Sequence, residues 1–179
     1  RNKFKDGKKQ RDDNKTLKLS LYKATNVGTN KWGNIEELPF NLKEYSMAHP
    51  ALSPDGKRLY FSSEMPGGMG MSDIWFVDIL GENSYSEPVN MGSKINTEAR
   101  ESFPFVSDKN NIYLASDGRG GLGGFDVFMV SITEDGKIDE ISNLGEPVNS
   151  PQDDFGFILN EEKRFGYVSS NRGGEGGSI

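Results

Sequence analysis

The chain has 179 residues, about one domain by length, with 34% hydrophobic residues, 22 glycines and no cysteine. A net charge of −6 and a pI near 4.9 argue against nucleic acid as the main partner. The lack of cysteine excludes disulfides and thiolate metal sites, and no apolar run is long enough to cross a bilayer as a transmembrane segment.

Residues 1–16 are polar, carry two Asp-rich turns, and are expected to form a flexible basic loop. Eight basic residues against three acidic ones give Arg1 to Lys18 a net charge of +5 and leave −11 for the rest. Leu17 to Ala24 and Ile35 to Phe40 read as strands around an Asn/Gly/Thr-rich turn. His49 to Leu52 is a short strand, closed by Ser53-Pro54-Asp55-Gly56, where proline presets the turn and glycine supplies positive φ. Strands follow at 57–62, 73–80 and 86–91, then at 103–106, 111–115, 126–132 and 138–144, and finally at 155–159 and 165–169.

A repeat orders these elements. Ser63 to Asp73, Ser116 to Asp126 and Ser169 to Ile179 are three Gly-rich copies spaced by 53 residues. The spacing extends to Asp73-Ile-Trp-Phe-Val77 against Asp126-Val-Phe-Met-Val130, and to Asn96 against Asn149. Upstream, Arg58 to Ser63 matches Asn111 to Ser116 and Arg164 to Ser169; only Pro50 and Pro104, 54 apart, fall out of step. Ile74-Trp-Phe-Val77 is continuously apolar, as in a strand buried on both faces.

Four short strands per unit predict an all-β protein, a β-propeller of four-stranded antiparallel blades present as an incomplete segment. Residues 17–179 make up the segment: an outer half-blade at 17–41, whole blades at 49–92 and 101–144, and an inner half-blade at 155–169. The chain starts with Arg and its repeat is out of phase at both ends. It is therefore expected to be a piece of a longer protein, and the lack of a visible signal peptide carries no information about export.

His49-Pro-Ala-Leu-Ser-Pro-Asp-Gly-Lys-Arg-Leu-Tyr-Phe-Ser-Ser63 resembles the WD40-like propeller repeat of TolB and its relatives. Leu38-Pro-Phe-Asn41, Pro66-Gly-Gly68, Gly145-Glu-Pro-Val-Asn149 and Ser169-Ser-Asn-Arg-Gly-Gly174 are similar to the propeller of OmpA-family outer-membrane-associated proteins of Bacteroidota-type bacteria. The resemblance extends to propeller-bearing members of that family in type IX secretion. The resemblance covers about residues 17–179. It implies a periplasmic, outer-membrane-associated component of a secretion or gliding complex. Its partners would be the remainder of its own chain and other envelope-complex proteins, with peptidoglycan bound only through a domain outside this sequence. Ile179 departs from the Asp at 73 and 126.

Chemistry-bearing residues are sparse. Gly120-Gly-Leu-Gly-Gly-Phe-Asp126 approaches the calcium nonapeptide, but Phe125 stands where Asp is needed. Asp73 and Asp126 recur at strand starts, where a carboxylate accepts loop N–H bonds. His49 is the only histidine; no multi-histidine metal site and no Gly-x-Ser-x-Gly elbow exists. Its ring is expected to hydrogen-bond the neighbouring blade. Arg119 and Arg172, on matching loops beside Asp117, form a candidate anion grip. Lys8, Lys9 and Arg11 are candidate contacts to an acidic partner, and no metal or cofactor is expected. The expected function is binding or scaffolding, not catalysis. The alternatives are a propeller accessory to a hydrolase of the peptidase kind, and a glycan or small-ligand sensor.

Overall fold

The computed structural model describes residues 4–5, 8–9, 11–133 and 137–173, and all regular structure among them is β. The strands are β1 (Phe4–Lys5), β2 (Lys8–Lys9), β3 (Tyr22–Gly28), β4 (Lys31–Glu37), β5 (Met47–Leu52), β6 (Arg58–Ser63), β7 (Asp73–Gly81), β8 (Ser84–Tyr85), β9 (Val89–Asn90), β10 (Glu101–Val106), β11 (Ile112–Ser116), β12 (Asp126–Ile132), β13 (Ile138–Asn143), β14 (Asp154–Asn160) and β15 (Phe165–Ser170). All strand pairing between them is antiparallel. After a β1–β2 hairpin come four sheets in chain order: β3–β4, β5 to β9, β10 to β13, and β14–β15. The fourth strand expected at 86–91 is split into β8 and β9. Between them, Ser86 Oγ accepts the Asp78 N–H at 2.9 Å, before Pro88, which has no N–H to give.

The sheets stack face against face, and alternation along each central strand explains why. Leu59, Phe61, Trp75 and Val77 turn toward β3–β4 and pack with Leu21 and Leu38. Tyr60 and Ile74, their neighbours in sequence, turn the other way and pack with Val106, Ile112, Leu114 and Val130 of the next sheet. Tyr113 and Val127 continue the series against Phe157 of β14–β15. β7 therefore reads as an apolar run because both its faces are covered. Trp75 lies opposite Phe61 and Phe128 opposite Leu114, so residues 53 apart hold one register in both sheets.

The third copy departs from the gapless 53-residue match. Glu101 faces Ser116 across β10–β11, whereas Asp154 faces Ser170 across β14–β15. Phe105 faces Tyr113, and Ile158 faces Tyr167. The step into β15 is thus 54, which aligns Tyr60, Tyr113 and Tyr167 and corrects the match of Arg164–Ser169 to Asn111–Ser116. One extra residue enters the β14–β15 turn, between Asn160 and the positive-φ Arg164, where the earlier turns end at Gly56 and Asn110. A one-residue slip would turn every β15 side chain to the opposite face; the longer turn prevents it.

A side-chain clamp recurs in three sheets. Asn96 Oδ1 accepts the Ile74 N–H at 2.8 Å, and its Nδ2 donates to the Ile74 carbonyl at 3.0 Å. Asn149 does the same to Val127 at 2.8 and 2.9 Å, and Asn41 to Leu21 at 2.9 and 2.7 Å. Each amide acts as one residue of an extra strand, satisfying a backbone that water cannot reach. Asn96→Ala and Asn149→Ala each strand a buried N–H. Each should lower the unfolding free energy by about 1–3 kcal/mol in urea denaturation, with little change in the m-value.

Candidate functional site

The Gly-rich loops, which precede β7 and β12, are held by the recurring aspartates. Asp73 accepts the Met69 N–H at 2.5 Å, the Gly70 N–H at 3.0 Å and the Asn90 side chain at 2.7 Å. Asp126 accepts the Leu122 N–H at 2.5 Å and Asn143 Nδ2 at 3.2 Å; its Oδ1 is buried without a partner among the described residues. Asn90 and Asn143 in turn accept from the clamp residues Asn96 and Asn149. These carboxylates organise loops, as the Asx chemistry of a strand start predicts.

The loops also lock each sheet to the next. The carbonyls of Leu19, Ser72 and Phe125, spaced by 53, accept the N–H groups of Met47, Glu101 and Asp154 at 3.0, 2.8 and 2.7 Å. A Cβ on Gly70 would collide with the Thr97 and Ala99 carbonyls, and one on Gly123 with the Gln152 and Ser150 carbonyls. One on Gly120 would meet nothing within 4 Å. Gly123→Ala should therefore cost about 1–3 kcal/mol by overpacking, while Gly120→Ala in the same loop stays near wild type, both read from thermal melts.

The proposed anion-grip arginines are engaged within the chain. Arg119 Nη2 donates to the carbonyls of Lys94 and Ile95 at 2.6 and 2.8 Å. Arg172, 53 residues on, donates to the equivalent carbonyls of Pro147 and Val148, to Ser170 Oγ at 2.8 Å, and to Asp154. Both tie a loop to the turn before it. Asp117 is paired with Arg100, accepting its backbone N–H at 2.7 Å and its guanidinium at 2.6 Å. Arg11 donates to the Lys15 carbonyl at 2.6 Å. The side chains of residues 1–10, Lys8 and Lys9 among them, lie outside what the structure describes; further along the expected loop at 1–16, Asp12 is buried and accepts the Thr16 N–H at 2.6 Å.

Asp154 is the buried end of this network. Burial pushes its carboxyl up, but hydrogen bonds from Ser170, Arg172 and Ser150 outweigh that, so it lies below its ordinary value of 3.8. A carboxyl depressed by folding stabilises fully above its ordinary value, and that stability is lost as pH falls through the lowered one. Asp154→Asn should lower the melting temperature at pH 7 and flatten its decline as pH falls below the ordinary carboxyl value of 3.8. An unchanged acid limb would assign the decline to other groups.

Residue types alone do not single out a second feature. β5, β10 and β14 each carry a bulge, and His49, Phe103 and Gly156 occupy it at φ 52°, 54° and 56°. A bulky residue at positive φ is unusual and costs about 1–3 kcal/mol. The result is a row of half-buried rings: His49 on Phe103 at 3.9 Å and 24°, and Phe103 beside Phe155 at 5.1 Å. The row borders a groove of about 380 Å³ whose walls include Pro50, Leu52, Pro104 and Ile158. His49 Nδ1 lies 2.9 Å from Ser62 Oγ of its own sheet, so its reach to the next sheet is by stacking, not by the hydrogen bond expected. Burial pushes its imidazole down from the ordinary value. The sequence signal was the 54- and 53-residue spacing of His49, Phe103 and Gly156, which no single residue type advertises.

Among the described residues, no group of three or more His, Asp or Glu gathers where it would hold a metal ion, and no helix is long and apolar enough to cross a membrane. No model of a known protein family matches the chain, and no curated protein matches it.

Proposed function

We propose that this chain is a non-catalytic scaffold module, a β-propeller segment that works inside a larger assembly by binding protein. The observation that carries the reading is the use of its polar residues. Asp73, Asp126, Arg119, Arg172, Asn96 and Asn149 all bond to loops and strands of their own chain. The stacking of repeated sheets supports the propeller as its form. The terminal sheets support a role in an assembly: Trp32, Ile35, Ile158 and Tyr167 are at least half exposed on them. The resemblance to OmpA-family propellers supports a place in the periplasm, at the outer membrane, within a secretion complex of the type IX kind or a gliding complex. Lys8, Lys9 and Arg11 are the proposed contact to an acidic envelope partner. A glycan or small-ligand sensor is the second reading, favoured by the ring row of His49, Phe103 and Phe155.

Reversing the charges of Lys8, Lys9 and Arg11 to Glu should lower co-purification of the envelope complex tenfold or more, with the melting temperature unchanged. Phe103→Leu and His49→Phe should leave both intact. Unchanged co-purification in the charge-reversed chain removes the basic stretch from the interface. Loss of secretion or gliding in a folded His49→Phe or Phe103→Leu chain, with oligosaccharide binding lost in parallel, would replace the scaffold reading by the sensor.

A further inference from the structure

Two junctions between consecutive sheets are built from the same repeat positions, and one is filled where the other is hollow. In the turn after β14, Glu161 reaches back onto the preceding sheet. It accepts Asn111 Nδ2 at 3.2 Å and the Tyr113 hydroxyl at 3.4 Å, with Lys109 Nζ at 3.6 Å. Its side chain is only 10% exposed, so these donors replace the water that an enclosed carboxylate loses. One repeat earlier, Arg58 stands for Asn111, Tyr60 for Tyr113 and Asp108 for Glu161. Asp108 is a methylene shorter, sits in a shorter turn, and bonds neither Tyr60 nor Arg58 among the described residues. A hollow of about 440 Å³ lies there instead, lined by Tyr60, Arg58, Asp108 and the turn from Ser53 to Lys57.

The walls keep the donors and commit the acids elsewhere. Arg58 lies over the Phe76 ring at 3.9 Å and gives its Nε to Asp78 at 2.7 Å, which uses one of the several N–H donors of its guanidinium. Burial pushes the Tyr60 phenol up, and the Arg58 guanidinium beside it works the other way. Asp78 is held by Arg58, and Asp55 by Ser53 Oγ at 2.6 Å and the Lys57 N–H at 3.0 Å. Asp55 also takes the place that Asp108 takes in the filled junction, where burial and then Glu161 and Asp108 act together on Tyr113. An acid at that position is therefore compatible with a carboxylate beside the tyrosine. In place of Asn111 and Ser131 the hollow junction has Arg58 and Asp78, a neutral pair for a neutral pair.

We propose that this hollow is a socket for a glutamate side chain of a protein partner, its carboxylate taken by Arg58 and Tyr60 as that of Glu161 is taken by Asn111 and Tyr113. The filled junction supplies the chemistry: a carboxylate on a two-methylene stem, entering from a neighbouring loop. Charge-assisted bonds from a guanidinium are stronger than those from the neutral amide of Asn111, which suits a glutamate that no covalent chain holds in place. The inference rests on the scaffold reading for the source of the glutamate, and the acidic partner proposed for Lys8, Lys9 and Arg11 has the character that the socket requires.

The test is a titration of the 179-residue chain with the peptide acetyl-Gly-Glu-Gly-amide at constant ionic strength, followed by amide NMR. The signals of Arg58 and Tyr60 should shift saturably, and acetyl-Gly-Gln-Gly-amide should bind about tenfold more weakly or worse. Tyr60→Phe removes only the hydroxyl and should weaken the glutamate peptide about tenfold. Two changes at Asp108 separate a socket from general electrostatics. Asp108→Asn removes a like charge and should tighten binding severalfold. Asp108→Glu keeps the charge but fills the hollow as Glu161 does; it should weaken binding about tenfold or more and raise the melting temperature. No saturable shift, equal binding of the glutamine peptide, unchanged binding in Tyr60→Phe or unchanged binding in Asp108→Glu would each overturn the proposal. Propionate binding more tightly than the peptide would overturn it too, by assigning the hollow to a small acid. Co-purification of the envelope complex tests the scaffold reading separately, because these variants leave the basic stretch untouched.

Discussion

The structure depends on the burial of strands on both faces. Once Ile74, Trp75 and Val77 lie between two sheets, water reaches their backbone from neither side. Every N–H and C=O must then find a partner within the plane of the sheet or in the loops at its ends. The asparagine clamp meets that need where strand pairing stops. Asn41, Asn96 and Asn149 each offer an amide with a donor and an acceptor at backbone spacing. Beside the clamps of Asn96 and Asn149 an aspartate holds the loop, and a carbonyl beyond it binds the next sheet. Burial of the apolar faces and closure of the polar loops are thus one constraint met at two places.

The same constraint commits the recurring polar side chains to the fold itself. A catalytic carboxylate needs a partner that moves a proton or a bond. Asp73 and Asp126 instead accept backbone amides that do not move. Arg119 and Arg172 act on carbonyls of their own loops. Groups committed in this way hold the loops rigidly, which is the property the proposed scaffold role calls for. The ring row is the exception, because His49 and Phe103 hold a backbone conformation that glycine adopts more cheaply. The third sheet uses Gly156 at that position and places Phe155 beside it, so the row is maintained while the strain is not.

Small sequence differences between copies have physical meaning. The extra residue before Arg164 keeps Tyr167 on the face that Tyr60 and Tyr113 occupy. Arg172 then returns to the 53-residue step and reaches the carbonyls equivalent to those held by Arg119. One insertion and one deletion, each in a turn, leave the strand faces and the loop lock unchanged.

Much of this was legible in the chain alone. The alternation and runs in Leu59-Tyr-Phe61 and Ile74-Trp-Phe-Val77 determine strands. The Gly-rich copies determine a repeat, and Ser53-Pro54-Asp55-Gly56 determines a turn, because each depends on local backbone preference or on a periodicity of two. Asparagine at 96 and 149 was visible as a repeat, but its role was not, since a clamp exists only when its loop meets a strand 22 residues away. The partners of Arg119, the offset of β15 and the stacking of His49 on Phe103 were likewise decided by tertiary structure. They depend on how far one sheet stands from the next, and no local preference encodes a distance between sheets.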